Sequence, residues 1–120
     1  MKKIYVVEDD QGIREVLEVL LGLENFDVQS FASVSEFKNR DTSSYPDLYL
    51  FDVRLPDGSG IDLCQHVKSI RDHKNIPVIM MSAHASMHEI SLCCSPNDII
   101  RKPFDIGILL DRIRSVMKIL

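Results

Sequence analysis

The chain has 120 residues, of which 45% are hydrophobic and 27% charged, a composition typical of one soluble globular domain. The formal net charge of −4 argues against direct nucleic-acid binding, and no apolar run approaches the roughly 20 residues that a membrane-spanning helix needs. Three cysteines without a secretory signal pattern predict a reduced, cytoplasmic protein that has no disulfide framework. We therefore expect residues 1–120 to form one domain.

The first half of the chain alternates between short apolar runs, which predict strands buried on both faces, and runs with helical spacing. In chain order the predicted elements are a strand at residues 4–7, a helix with apolar positions between 13 and 21, a strand at residues 26–31, a short helix after Ser33, and a strand at residues 47–51. Asp10 is a suitable N-cap for the first helix. Ser33 and Glu36 have the spacing of a capping box, which predicts the start of the second helix.

The second half of the chain continues the same alternation. In chain order it contains turn-forming residues at 55–60, a helix with apolar positions between 61 and 70, a strand at residues 77–81, a short helix at residues 86–94, a strand at residues 98–101, and a last helix between 106 and 117 with Asp105 in its first turn. Five strand–helix alternations predict an α/β fold, a single doubly wound parallel sheet with five strands and five flanking helices. Ligands of such sheets bind beyond the carboxyl ends of the strands.

Polar side chains stand at the carboxyl ends of four predicted strands. Glu8 and Asp9 follow the first strand, Asp52 ends the third, Ser82 the fourth and Lys102 the fifth. We expect these side chains to converge at one edge of the sheet. Two like charges about 4 Å apart repel by about 4 kcal/mol at an effective dielectric constant near 20, so three carboxylates favour a bound divalent cation. Mg²⁺ is the natural candidate because hard cations prefer oxygen ligands.

The same set of side chains suits phosphoryl transfer. Asp52 is central in the predicted sheet, and a carboxylate can act as a nucleophile that forms an aspartyl-phosphate. Lys102 would pair with the phosphoryl group, and Ser82 would donate a hydrogen bond to it. Positioning and charge neutralisation dominate the catalysis of phosphoryl transfer, and these residue types supply both.

Four segments carry a resemblance to a known family. They are residues 6–10, 51–60, 76–83 and 101–104. In this order and spacing they resemble the receiver domains of two-component response regulators, and the likeness covers essentially the whole chain. The resemblance implies a flavodoxin-like fold with strand order 2-1-3-4-5, a histidine kinase or phosphotransfer protein as phosphodonor, and an unknown downstream protein or output domain as target. No output domain is expected within the 120 residues.

The resemblance also implies roles for individual residues. Asp52 would receive the phosphoryl group. Asp9, Asp52 and the backbone carbonyl of Arg54 would hold Mg²⁺ (or Mn²⁺), and Glu8 would act mainly through metal-bound water. The only catalysis expected is on the chain itself, the gain and loss of its own phosphoryl group.

Further positions match the family's switch and its rate-tuning sites. Ser82 and Lys102 match the hydroxyl and the lysine that sense the phosphoryl group. Ile99 stands three residues before the lysine, where many receivers have tyrosine or phenylalanine, so we expect only a small rearrangement there. Arg54 and His84 match the positions that tune the lifetime of the phosphoryl group.

Other functions remain open on the sequence alone. A phosphatase of the haloacid-dehalogenase type would need a second aspartate two residues after the nucleophile, where Arg54 stands. A second alternative to a phosphorylated receiver is a receiver fold that is never phosphorylated and serves only as an interaction module. A nucleotide or flavin site lacks the Gly-x-Gly-x-x-Gly pattern after the first strand. A zinc site at His84, His88, Cys93 and Cys94 lacks Cys-x-x-Cys spacing.

Overall fold

The computed structural model describes residues 1–70, 73, 75–83, 90 and 94–119, and seven strands lie within these ranges. In chain order the strands are β1 (Lys2–Val7), β2 (Phe26–Phe31), β3 (Leu48–Asp52), β4 (Arg54–Leu55), β5 (Gly58–Ser59), β6 (Val78–Ser82) and β7 (Asp98–Arg101). Five of them form a parallel sheet in the order β2-β1-β3-β6-β7, and β4 and β5 form a separate antiparallel hairpin. The predicted fold and the order of its five main strands are therefore confirmed.

Four helices lie within the described ranges, and polar side chains cap their N-termini. They are α1 (Gln11–Leu23), α2 (Val34–Lys38), α3 (Gly60–Ser69) and α4 (Ile106–Met117). Asp10 caps α1 by accepting a 3.0 Å hydrogen bond from the Ile13 amide, and Ser33 caps α2 in the predicted way. Asp105, expected inside the first turn of α4, is instead its N-cap. The helix predicted at residues 86–94 falls largely outside the described residues.

The sheet separates two apolar clusters, one on each face, because successive strand residues point to opposite sides. In β1, Ile4 and Val6 pack on one side, whereas Tyr5 and Val7 pack on the other. Side chains of α1 and α4 cover the first face, and those of α2 and α3 cover the second. All five residues of β3 are buried, which explains its continuous apolar run. None of the helices in the described ranges combines the length and apolar composition needed to span a membrane.

The segment after β3, where the sequence predicts turns, folds into the hairpin and returns to the end of β3. The amide of Gly60 donates a 2.9 Å hydrogen bond to the carbonyl of Val53, which closes the loop onto the start of α3. The exposed carboxylate of Asp57 accepts hydrogen bonds from the amides of Ser35 and Val34, at 2.9 and 2.8 Å. These bonds lower the pKa of Asp57 and tie the hairpin to the start of α2.

Gly60 lies so close to the end of β3 that no side chain fits there. A Cβ atom at this position would lie 2.0 Å from the backbone oxygen of Asp52. We predict that Gly60→Ala lowers the free energy of unfolding by about 3 kcal/mol, the upper end of the usual cost of overpacking, because backbone atoms must move to admit the methyl group. Urea unfolding at equilibrium measures this loss.

Gly22 provides the matched control for this substitution. It lies in α1, and a Cβ atom there would meet nothing within 4 Å. Gly22→Ala should leave stability unchanged or raise it by up to about 1 kcal/mol, because alanine favours the helix. Equal unfolding midpoints for the two variants would contradict the steric explanation at Gly60.

Candidate functional site

Three carboxylates meet at the carboxyl edge of the sheet. Glu8 and Asp9 occupy the turn between β1 and α1, and Asp52 is the last residue of the central strand β3. One carboxylate oxygen of each residue lies within 4.8 Å of those of the other two. Glu8 is completely buried and Asp52 is 7% exposed, whereas Asp9 is exposed. Solvent therefore reaches the group from the side of Asp9.

Lys102 joins the two buried carboxylates. Its Nζ atom forms ion pairs with Oε1 of Glu8 and, at 3.1 Å, with Oδ2 of Asp52. Its backbone amide donates a 2.9 Å hydrogen bond to the carbonyl of Ser82, so the end of β7 is tied to the end of β6. The Lys102–Pro103 peptide bond is cis. The lysine ammonium thus lies between residues that are 94 and 50 positions away in the sequence.

The pKa values at this site reflect burial and the close contact of Lys102 with two carboxylates. Burial first, and then the neighbouring Asp52 carboxylate, raise the pKa of Glu8 to about 7 against the opposing effect of Lys102. Burial alone would lower the pKa of Lys102, but its hydrogen bond to Glu8 and the charge of Asp52 outweigh this, so its pKa is raised. One lysine does not balance three carboxylates, and near neutral pH the site partly retains a proton on Glu8.

A cavity of about 210 Å³ opens beside Asp52. Its lining residues are Asp9, Asp52, Val53, Arg54, Ser82, Ala83 and Lys102. Since one water molecule occupies about 30 Å³ in the liquid, the cavity is large enough for a hydrated cation or a small anion. The donor set, oxygen atoms with a net negative charge, fits Mg²⁺ or Mn²⁺. The geometry thus combines a nearly buried carboxylate, a lysine and a cation-compatible acidic group around one opening.

A known family matches nearly the whole chain. The family model of the response regulator receiver domain matches residues 4–114. The chain belongs to this family. Receiver domains are signalling domains of two-component systems, so the sequence resemblance and its family assignment are confirmed.

Individual relatives support the same assignment. The chain is 34% identical to the response regulator PilR of Pseudomonas aeruginosa, in an alignment that covers 98% of this chain and 26% of PilR. It is 32% identical to the response regulator ArlR of Staphylococcus aureus, in an alignment that covers 98% of this chain and 53% of ArlR. This receiver domain therefore spans about half or less of these relatives. The BeF₃-activated receiver domain of DrrB from Thermotoga maritima superimposes with a TM-score of 0.85 at 28% identity, covering 98% of both chains.

Of the remaining residues that the sequence analysis singled out, two line the cavity and a third packs in the core. Ser82 is buried at the end of β6 and lines the cavity, and Arg54 lines it with an exposed side chain. Ile99 lies in β7, beside Met80 of β6, and packs partly buried against the core. His84 lies outside the described residues.

The histidines and cysteines considered as zinc ligands are not part of the acidic group. The sequence spacing disfavours a zinc site, and three of its four conceivable ligands, His84, His88 and Cys93, lie outside the described residues. Cys94 is buried, as is Cys64. Burial raises the pKa of the Cys64 thiol, and contact with Cys94 raises it further. Both are the small buried side chains expected of structural cysteines.

Arg14 is a site residue that the sequence reasoning missed. Its Nη1 atom donates hydrogen bonds to the backbone carbonyls of Glu8, at 2.8 Å, and Asp9, at 3.1 Å. The available signal was a lone arginine in the first turns of α1, within reach of an acidic turn. The spacing alone does not distinguish this contact from an exposed helix arginine.

The shifted pKa of Glu8 predicts how stability depends on pH. Because its pKa rises from 4.5 to about 7 on folding, its contribution is complete below pH 4.5 and is lost as the pH rises through about 7. We predict that, without divalent cations, the unfolding free energy falls by up to about 3 kcal/mol between about pH 5 and pH 8. Urea unfolding in EDTA across this range measures the loss.

Glu8→Gln is the control for this pH dependence, because glutamine does not titrate. The raised pKa of Lys102 gives a contribution that is complete below 10.5, so it adds no slope in this range. The variant should therefore lack most of the decline. Parallel stability profiles for wild type and Glu8→Gln would contradict the assignment to Glu8.

Proposed function

We propose that this receiver domain accepts a phosphoryl group on Asp52 from a histidine kinase or phosphotransfer protein, and that the modification changes its affinity for a downstream protein or output domain. The observation that carries the proposal is the position of Asp52. It is the nearly buried end of the central strand, it is paired with Lys102, and it lies within 4.8 Å of two further carboxylates. A cytoplasmic location stays a prediction.

The proposed reaction uses Asp52 as the nucleophile. One of its carboxylate oxygens forms a bond to phosphorus while the bond from phosphorus to the donor nitrogen breaks, and the donor imidazole leaves. β3 is paired with β1 as far as Phe51 and with β6 as far as Asp52, which lies opposite Met81, so the strand is held on both sides up to the residue before Asp52 and on one side at Asp52 itself. The strand pairing positions the attacking carboxylate oxygen, and positioning of the nucleophile is a large part of catalysis in phosphoryl transfer.

Two side chains would stabilise the charge on the transferred group, and a third would tune its lifetime. Lys102 lies 3.1 Å from Oδ2 of Asp52 and would pair with a phosphoryl oxygen. Ser82 lines the same cavity and would donate a hydrogen bond from its hydroxyl group. Arg54 extends from the cavity lining into solvent, where we propose that it tunes the lifetime of the phosphoryl group. The same role for His84 rests on the sequence alone.

The acidic group supports a metal-dependent reaction. Asp9, Asp52 and the backbone carbonyl of Arg54 would hold Mg²⁺ or Mn²⁺, and Glu8 would contact it through water. Such a cation would neutralise charge on the phosphoryl oxygens. The cluster of oxygen donors supports this assignment, because three carboxylates lie within 4.8 Å of one another and only one lysine is paired with them. The BeF₃-activated form of DrrB makes beryllofluoride a suitable probe for the related chain.

The first test of the proposal is the intact mass after incubation with acetyl phosphate and Mg²⁺. We predict a mass increase of about 80 Da in wild type, the added phosphoryl group. Asp52→Asn should show no increase, because an amide is not a comparable nucleophile. EDTA should abolish the increase in wild type.

Asp111→Asn is the matched control. It makes the same chemical change, aspartate to asparagine, at an exposed position on α4 outside the site. It should be phosphorylated like wild type. An equal mass increase in Asp52→Asn would reject Asp52 as the acceptor. If wild type takes up neither phosphate nor beryllofluoride in Mg²⁺, the proposal fails and an unphosphorylated interaction module becomes the better explanation.

A second prediction concerns the switch position. Ile99 is packed against the core and has no aromatic ring to rotate, so its surroundings should change little on activation. We expect small backbone chemical-shift changes at Ile99 on addition of Mg²⁺ and beryllofluoride, compared with those at Val53 and Ala83 beside Asp52. Changes at Ile99 larger than those at the two cavity residues would contradict the prediction. Asp52→Asn under the same conditions controls for effects of the salt.

A further inference from the structure

We infer that Arg14 is a positioning residue for the metal site, which it serves by fixing the backbone of the turn that carries Glu8 and Asp9. The inference rests on the proposed function and adds a residue to it. Arg14 lies on α1, outside the cavity lining, and contacts the acidic residues only through their backbone carbonyls in the bonds described above. Its effect on a bound cation would therefore be exerted through Glu8 and Asp9.

The turn is fixed at both ends by bonds that do not involve the Arg14 side chain. At its start, the amide of Glu8 donates a 3.0 Å hydrogen bond to the carbonyl of Phe31 in β2. At its end, Asp10 caps α1. The peptide units of Glu8 and Asp9 lie between these two points, and the Nη1 atom of Arg14 binds both carbonyls. A single nitrogen thereby sets the orientation of two consecutive peptide planes.

This orientation matters because the two acidic side chains have different environments. Glu8 is completely buried against Lys102, whereas Asp9 is exposed at the cavity. Rotation of either peptide plane would turn one carboxylate away from the other. Because a charged donor makes a stronger hydrogen bond than a neutral one, the guanidinium group resists such rotation better than water would. Its positive charge also offsets part of the repulsion within the acidic turn.

The experiment compares the Mg²⁺ affinity of wild type, Arg14→Met and Arg14→Lys by isothermal titration calorimetry. Partners that orient metal ligands typically contribute 10- to 100-fold to metal affinity, so Arg14→Met should raise the Kd at least about tenfold. Arg14→Lys keeps the charge but loses the planar group, and it should raise the Kd about threefold. Circular dichroism verifies that each variant is folded.

Arg114→Met is the matched control. It removes an arginine whose Nη2 atom pairs with Glu24 at 2.9 Å, away from the acidic group, and it should bind Mg²⁺ within about twofold of wild type. The rate of phosphorylation by acetyl phosphate, measured against Mg²⁺ concentration, gives a second readout. In Arg14→Met the half-saturating concentration should rise while the maximal rate stays near that of wild type, a separation that general loss of structure would not produce.

The outcomes separate the inference from the proposed function. Wild type that binds no Mg²⁺ and takes up no phosphate would reject both. A normal wild type with a folded Arg14→Met variant of unchanged Kd would reject only the role of Arg14. If Arg14→Met does not fold, Arg14→Lys decides, and wild-type affinity in that variant would overturn the inference.

Discussion

The contacts of Lys102 with Glu8 and Asp52 connect the chemistry of this receiver domain to its fold. Two carboxylates that lie almost entirely out of solvent share one ammonium group at the edge of the sheet. Removing one partner from a buried ion pair typically costs 3–5 kcal/mol, because the remaining charge is left uncompensated. The site therefore depends on all three residues, and a third carboxylate, Asp9, adds negative charge that the lysine does not balance.

The fold brings these residues together through the order of its strands. Because β1 and β6 flank β3, the turn after β1 and the end of β6 lie on either side of Asp52. Lys102 reaches the same point from the end of β7, where its amide is bonded to the carbonyl of Ser82. Glu8 and Asp9 share the turn after β1, whereas Asp52, Ser82 and Lys102 stand at the ends of three other strands, so the spacing of the strands sets the distances between these positions. Apolar packing on both faces of the sheet supplies the stability that this concentration of charge does not.

The start of α3 packs directly against the end of β3, beside the site. The absence of a side chain at Gly60 lets the helix begin against the backbone of Asp52, and the hairpin between them is held to α2 by Asp57. On the other side, Arg14 holds the carbonyls of the acidic turn. The proposed acceptor thus lies between two short connections whose backbones are fixed by other parts of the chain. Cation binding and phosphorylation would act on a site that has little freedom except at its solvent side.

Much of this could be read from the amino-acid sequence. The alternation of apolar periods gave the fold class, because strands buried on both faces leave continuous apolar runs, and β2 and β7 have the predicted limits. The placement of Glu8, Asp9, Asp52, Ser82 and Lys102 after strands predicted one shared edge. The short hairpin was missed because its two-residue strands leave no periodic pattern.

By itself the sequence determined which residue types stand at the strand ends, since that depends only on local pattern and on a general property of parallel sheets. Tertiary structure alone decided that adjacent Glu8 and Asp9 differ in burial, that Lys102 pairs with Glu8 as well as Asp52, and that Arg14 turns toward the acidic turn. Such differences depend on where helices and distant strands close over each side chain. No local pattern of residues contains that information.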